Sequence, residues 1–285
     1  MKNFISNRIC LYSSPVPGRS SAYEIAEYAA KFGVAGIELM NFCDELRTPD
    51  MKAAREIGAH VKSLGLATPC FSAGINIAGD DRREALERLK GYADICSELE
   101  IPYLHHTIFP LLREKLTPER AEEIFRIGIE SALEIYDYSE RLGVKTLVED
   151  QGLVFNGVKN YRRFMEMTDW KIGTVLDFGN IMFVDERPED FADAFMHNVR
   201  HVHIKDYKYL SPSDENSHAY ESISDKRFVG TAMGEGDVGI DILAAKLTAA
   251  DYGGYYSLEY DGLKSTAAAE LDLHNVAKSF VSNGA

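Results

Sequence analysis

Short β-rich runs recur along the chain, each followed by a longer stretch with apolar residues at helical spacing. The runs are 8–12, 36–40, 66–71, 102–107, 145–149, 173–177, 199–205 and 255–260. The stretches 21–32, 50–64, 80–98, 118–142, 159–168, 188–197, 240–250 and 267–282 read as helices. Local signals agree. Thr117 stands as an N-cap ahead of Pro118 at the first helical position. Three helices run into Gly33, Gly65 and Gly143 just before a strand, where glycine takes a left-handed conformation at little cost. Strands alternating with helices imply parallel β-α-β units. Eight of them predict an α/β protein, a closed (β/α)₈ TIM barrel forming a single domain over residues 1–285. A doubly wound open sheet is the competing arrangement. One long connection, 207–237, is polar and punctuated by glycine, and a loop that long in a compact domain is more often functional than idle.

Composition narrows the setting. With 45% hydrophobic and 27% charged residues, the 285-residue chain has enough apolar surface for one large core. A formal charge of −14 argues against nucleic acid or an acidic membrane surface as partner, although a small phosphorylated substrate needs only a few local cations. No apolar run approaches the roughly 18 residues of a membrane span. Residues 1–10 are polar and mixed, without the apolar stretch of a signal peptide. Cys10, Cys43, Cys70 and Cys96 are widely spaced with no C-x-x-C pair, and read as buried, reduced thiols of a cytoplasmic protein.

The chemistry lies at the strand ends, where barrel enzymes carry it. Strand two ends in Glu38, strand four in His105-His106, strand five in Glu149-Asp150 and strand six in Asp177-Phe-Gly-Asn180. Strand seven ends in His203-Ile-Lys205-Asp206 and strand eight in Glu259. One carboxylate at a strand end is ordinarily a helix cap or a solvated charge. Glu, Asp, His and Glu on four consecutive strands converge, and three buried carboxylates repel unless a cation neutralises them. Glu149, Asp177, His203 and Glu259 are therefore the expected ligands of one divalent metal. Oxygen-rich ligation with one imidazole suits Mn²⁺ first, with Mg²⁺, Co²⁺ or Zn²⁺ as alternatives.

The segments Val148-Glu149-Asp150, Leu176-Asp177-Phe-Gly-Asn180, His203-Ile-Lys205-Asp206, Gly234-Glu-Gly236-Asp-Val-Gly239 and Ser257-Leu-Glu259 give the chain a further meaning. In this order and spacing it resembles the xylose isomerase-like TIM barrels, which include sugar phosphate isomerases and epimerases. The resemblance spans almost the whole chain. It implies metal binding by Glu149, Asp177, His203 and Glu259, with Glu149 and Glu259 also acting as acid and base, as in the ketose 3-epimerases. It implies a small sugar or polyol substrate and a homodimer or homotetramer. That epimerase branch places a histidine three residues after the metal aspartate. Asn180 stands there instead, able to bond a hydroxyl but not to carry a proton.

The expected activity is isomerisation or epimerisation by C–H deprotonation to an enediolate that the metal stabilises. Dehydration of a keto-polyol on the same site is the alternative, and a non-catalytic sugar-binding barrel is a rival of another class. Glu38, His106, Asn180 and Lys205 are the expected substrate contacts. Lys205 is equally readable as an ion-pair partner of the mouth carboxylates, and Glu38 as an anchor beneath the ligands. His105 and His106 point to opposite faces, and His106 is the choice because it is nearer the strand end. His201 shares a face with His203 but lies deeper, so packing is expected of it rather than ligation. The Gly234-x-Gly236-x-x-Gly239 spacing imitates a dinucleotide motif but follows a polar loop rather than a strand. It is expected to start the seventh helix. A nuclease with three zinc ions on this fold would need more mouth histidines than the chain's eight supply.

Overall fold

Eight parallel strands close into a ring in a computed structural model that describes residues 8–12, 20–110, 116–211, 213–214 and 219–259. The ring runs β1 (Ile9–Tyr12), β2 (Gly36–Met40), β3 (Cys70–Ala73), β4 (Tyr103–His106), β5 (Lys145–Val148), β6 (Gly173–Asp177) and β7 (Val199–Ile204). The strand Tyr256–Leu258 then pairs with both β7 and β1 and shuts the barrel. Between the strands lie α1 (Ala22–Phe32), α2 (Met51–Ser63), α3 (Arg82–Glu98), α4 (Pro118–Arg141), α5 (Val158–Met167), α6 (Pro188–Phe195) and α7 (Ile240–Ala249). The open-sheet alternative is excluded by this closure. The expected helix 267–282 and the last residue of the expected strand 255–260 lie outside the described residues.

The local signals act as expected. Asp50 caps α2 by accepting the N–H groups of Lys52 and Ala53, and Thr117 caps α4 through the N–H of Arg120. Gly33, Gly65 and Gly143 adopt φ of 67°, 72° and 76°, which turn each helix sharply into the next strand. Two boundaries move. The third strand covers Cys70–Ala73 rather than 66–71, and Ala67 forms only an isolated bridge to Gly36. The sixth helix stops at Phe195 and tightens into a 3₁₀ turn, Met196–Asn198.

The main core fills the space between the strands and the surrounding helices, with Phe71, Tyr92, Phe155, Phe164, Phe191 and Phe195 fully buried. Inside the barrel, Cys70, Leu147 and Val175 pack together with Tyr103 against them. His201 lies level with Val175 of this plug, and His203, Asp177 and Ser257 stand above it, toward the C-terminal ends of the strands.

The connection 207–237 is not featureless. It holds β8 (Tyr207–Tyr209), β9 (Tyr220–Glu221) and β10 (Arg227–Gly230), a small antiparallel sheet of order β8-β10-β9; the closing barrel strand is therefore β11. Phe228, Tyr207 and Tyr220 from this sheet pack edge to face on Phe183, in the 3₁₀ turn after β6. The Gly234–Gly239 segment leads into α7, with Gly239 at its N-cap. No helix among the described residues is long and apolar enough to cross a membrane. The four cysteines are free and buried.

Candidate metal centre

The pairing register sets the heights of the side chains. His203 on β7 lies level with Asp177 on β6 and with Ser257 on β11. Glu259 stands two residues beyond Ser257, on the same face by the strand period of two. Asp177 is fixed by its own turn, its Oδ1 accepting the N–H groups of Gly179 (2.8 Å) and Asn180 (2.7 Å). Its Oδ2 takes no hydrogen bond and has the Lys205 ammonium 3.1 Å away and His203 Nδ1 3.9 Å away as ionic neighbours.

The four expected ligands come together. His203 Nδ1 lies 3.2 Å from Glu149 Oε2, 3.8 Å from Glu259 Oε2 and 3.9 Å from Asp177 Oδ2. Ligand atoms of Glu149, Asp177 and His203 all fall within 4.8 Å of one another. The other ring nitrogen, Nε2, sits 3.1 Å from Glu38 Oε1. With the Nε2 proton directed at a carboxylate, Nδ1 is the nitrogen that faces the three acids. A carboxylate behind a histidine in this way is a common support for a metal ligand.

Glu38, expected among the substrate contacts, is held by protein groups. It is fully buried, its Oε2 meets His201 Nε2 at 2.7 Å, and its Oε1 accepts from Ser72 as well as His203. These contacts match the other role its position allowed, an anchor beneath the expected ligands. His201, also 3.0 Å from Ser257 Oγ, belongs to the same supporting layer. Lys205 Nζ contacts Glu259 Oε2 (2.8 Å), Asp177 Oδ2 (3.1 Å) and Asn180 Oδ1 (3.2 Å), so it pairs with the mouth carboxylates. Asn180 is thereby placed at the mouth beside Lys205, and its main-chain carbonyl accepts from Asn156.

The histidine pair of β4 divides between the two faces of the strand. His105, not His106, faces the barrel interior: its ring stands edge-on to His203 with centroids 5.1 Å apart, and its Nε2 is 3.9 Å from Glu149 Oε1. His106 is buried, with Nδ1 3.1 Å from the Thr107 carbonyl and no hydrogen bond or ion pair to a mouth carboxylate among the described residues. The register decides this, because Ser72 is the interior neighbour and it lies opposite His105. Three further groups went unassigned in the sequence. Tyr12 ends β1 with its ring 4.9 Å from that of His203. Asp150 is buried with neither carboxyl oxygen hydrogen-bonded. Asp206 accepts the N–H groups of Gly234 (2.8 Å), Gly236 (3.0 Å) and Val238 (3.4 Å), which explains the glycine-rich segment.

The electrostatics divide the acids. Burial would raise the Glu38 carboxyl, but the charges of His203 and His201 outweigh it and hold the group well below its usual range. Glu149 is likewise pushed up by burial and brought down, to about 2, by His105 and His203. Burial wins at Asp177, which is raised, and at Glu259, raised to about 7 despite Lys205. Burial lowers Lys205 and His203, yet the surrounding acids hold both well above their ordinary values. A site that distorts every carboxyl in it fits a divalent cation. The donor set of three carboxylates and one oriented imidazole, with an acid oxygen left without a hydrogen bond, fits it too. A cavity of about 590 Å³ between Leu116, Phe125, Arg163 and Ile223 is lined by none of these groups.

Comparison with known proteins agrees with the geometry. A family model described as "Xylose isomerase-like TIM barrel" matches residues 26–276. An inosose dehydratase of Bacillus cereus (strain AH820) is 26% identical over 129 residues, 44% of this chain and 39% of the relative. The match thus spans about two-fifths of that protein. A xylose isomerase-like TIM barrel protein from Mycobacterium smegmatis, solved in complex with magnesium, superposes with a TM-score of 0.76 at 14% identity, covering 98% of each chain. The apo form of 3-keto-D-glucoside 4-epimerase from E. coli superposes at 0.72 with 16% identity, covering 96% of this chain and 99% of that one. D-psicose 3-epimerase with D-tagatose, from Clostridium cellulolyticum H10, superposes at 0.72 with 13% identity over 97% and 98%. At such identities the shared property is the fold, and the family model goes further: the chain belongs to the xylose isomerase-like TIM barrel family.

Proposed function

We propose that this protein is a divalent-metal-dependent enzyme that removes a proton beside the carbonyl of a sugar or polyol, phosphorylated or free, to isomerise or epimerise it. The observation that carries the reading is the convergence of Glu149, Asp177 and Glu259 on His203 Nδ1. Mn²⁺ is the ion proposed, and a divalent ion held there supplies Lewis acidity to a carbonyl and its neighbouring hydroxyl. Glu149 and Glu259 enter from strands on either side of β6 and β7, so one takes the proton and the other returns it. Lys205, within 3.2 Å of Asn180 Oδ1 and bound to two acids, holds a fixed positive charge where negative charge develops on oxygen. Asn180 supplies an amide for a substrate hydroxyl.

A second reading shares the first step: loss of a hydroxyl one carbon further on gives dehydration instead. The likeness to an inosose dehydratase favours it. The family resemblance adds a homo-oligomeric state, and four free cysteines accord with the cytoplasm. Proton exchange in D₂O tests the reading, with Mn²⁺ and a panel of ketoses and keto-polyols. Deuterium entering beside a carbonyl is the expected result, with loss of water marking the dehydratase branch. A metal-loaded protein that exchanges no C–H in any of them contradicts the reading.

A further inference from the structure

We propose that His105 is a substrate-binding residue whose Nε2 accepts a hydrogen bond from a hydroxyl of the polyol held at the metal centre. The proposal rests on the function proposed above and adds a contact to it. The two nitrogens of His105 are differently placed. Nδ1 lies 2.8 Å from Ser72 Oγ, and Ser72 donates its own proton to Glu38. Glu38 also receives His201 Nε2 at 2.7 Å and His203 Nε2 at 3.1 Å. A carboxylate surrounded by three donors gives none back, so Ser72 can meet His105 only as an acceptor. Nδ1 is therefore the N–H of that ring, and Nε2 carries the bare lone pair.

Nε2 is buried without a hydrogen-bond partner, and Glu149 Oε1 stands 3.9 Å from it. A hydroxyl has one proton, so an oxygen about 2.8 Å from Nε2 gives that proton to the ring nitrogen and not to Glu149 Oε1. A buried ring nitrogen left unpaired is costly, and a bound hydroxyl removes that cost. The occupant this geometry selects is a small O–H donor beside the group proposed as the base. A polyol with a hydroxyl near the reacting carbon meets it; the matching deoxy sugar does not.

The test uses the full chain loaded with Zn²⁺, which is diamagnetic, and inosose, D-fructose and D-tagatose as probes. Histidine ¹⁵N spectra of the wild type are expected to show His105 as the Nδ1–H form, with its Nε2 resonance moving when a probe binds. His105→Asn keeps a donor toward Ser72 and removes the outer acceptor, whereas His105→Gln keeps an acceptor near the Nε2 position. Calorimetry is expected to show His105→Asn retaining one Zn²⁺ per chain but binding the probe at least about tenfold more weakly, with His105→Gln retaining most of the affinity. The proposal is overturned by an Nε2–H ring, or by unchanged probe affinity in His105→Asn. Zinc lost from that variant overturns it too, since His105 is then a metal ligand. If the wild type binds zinc but none of the probes, the functional reading falls and this contact with it; failure of the proposal alone appears only in the ring's form or in the variants.

Discussion

At the scale of single residues, each buried group here is defined by what it touches. Glu149 is proposed as both ligand and base, so Glu149→Gln is expected to lower kcat by about 10²–10⁴-fold, measured by initial rates on whichever substrate exchanges deuterium. Full activity in that variant sinks the assignment. Glu38 is fully buried and faces three donors, from His201, His203 and Ser72. An amide has one acceptor oxygen and one NH₂ group, so Glu38→Gln sets a donor against a donor. With the NH₂ in the place of Oε1, His203 escapes that clash by moving its proton to Nδ1, the nitrogen a cation needs free. Divalent-metal affinity is expected to drop about 10–100-fold by titration. Unchanged affinity would mean the Glu38–His203 contact does not orient the ring.

At the scale of elements, much of the pattern was legible because strand and helix periods differ so sharply. All eight barrel strands and seven of the eight expected helices appear near their expected positions, the eighth lying outside the described residues. The convergence of Glu149, Asp177, His203 and Glu259 was legible for a related reason: an apolar strand that ends in a charge presents it at the barrel mouth. The choice between His105 and His106 was not legible, because inward parity depends on pairing with β3, and Ser72 opposite His105 is invisible in the sequence of β4. The role of Glu38 was hidden similarly, since its partners come from β3 and β7. The connection 207–237 concealed a sheet because strands of two to four residues carry almost no period. Asp206 ties that insertion to the end of β7. A Cβ on Gly236 would stand 2.2 Å from Asp206 Oδ1 and 2.4 Å from the Tyr207 carbonyl. Gly236→Ala is therefore expected to cost about 1–3 kcal/mol in a denaturant titration, with faster amide exchange confined to 206–239. Loss of protection spread evenly through the barrel would contradict that local account.

At the scale of the whole molecule, the barrel is held shut by its apolar layers and carries at one end a cluster of acids that it neutralises only in part. Lys205 and His203 offset some of the repulsion among Glu149, Asp177 and Glu259. An ion bound by the folded state and not by the unfolded chain adds RT ln(1 + [L]/Kd), about 2.7 kcal/mol at a hundredfold excess over Kd. Thermal unfolding with saturating Mn²⁺ is expected several degrees above that with a chelator, and no difference would indicate that the acids bind nothing.

Everything proposed for the barrel mouth depends on a bound ion, so the decisive measurement is divalent metal per chain after equilibration with Mn²⁺, in the wild type and in Asp177→Ala. About one ion per chain in the wild type, and close to none in the variant, is the result predicted. Wild-type protein that retains no ion, or a variant that holds it equally well, contradicts the account.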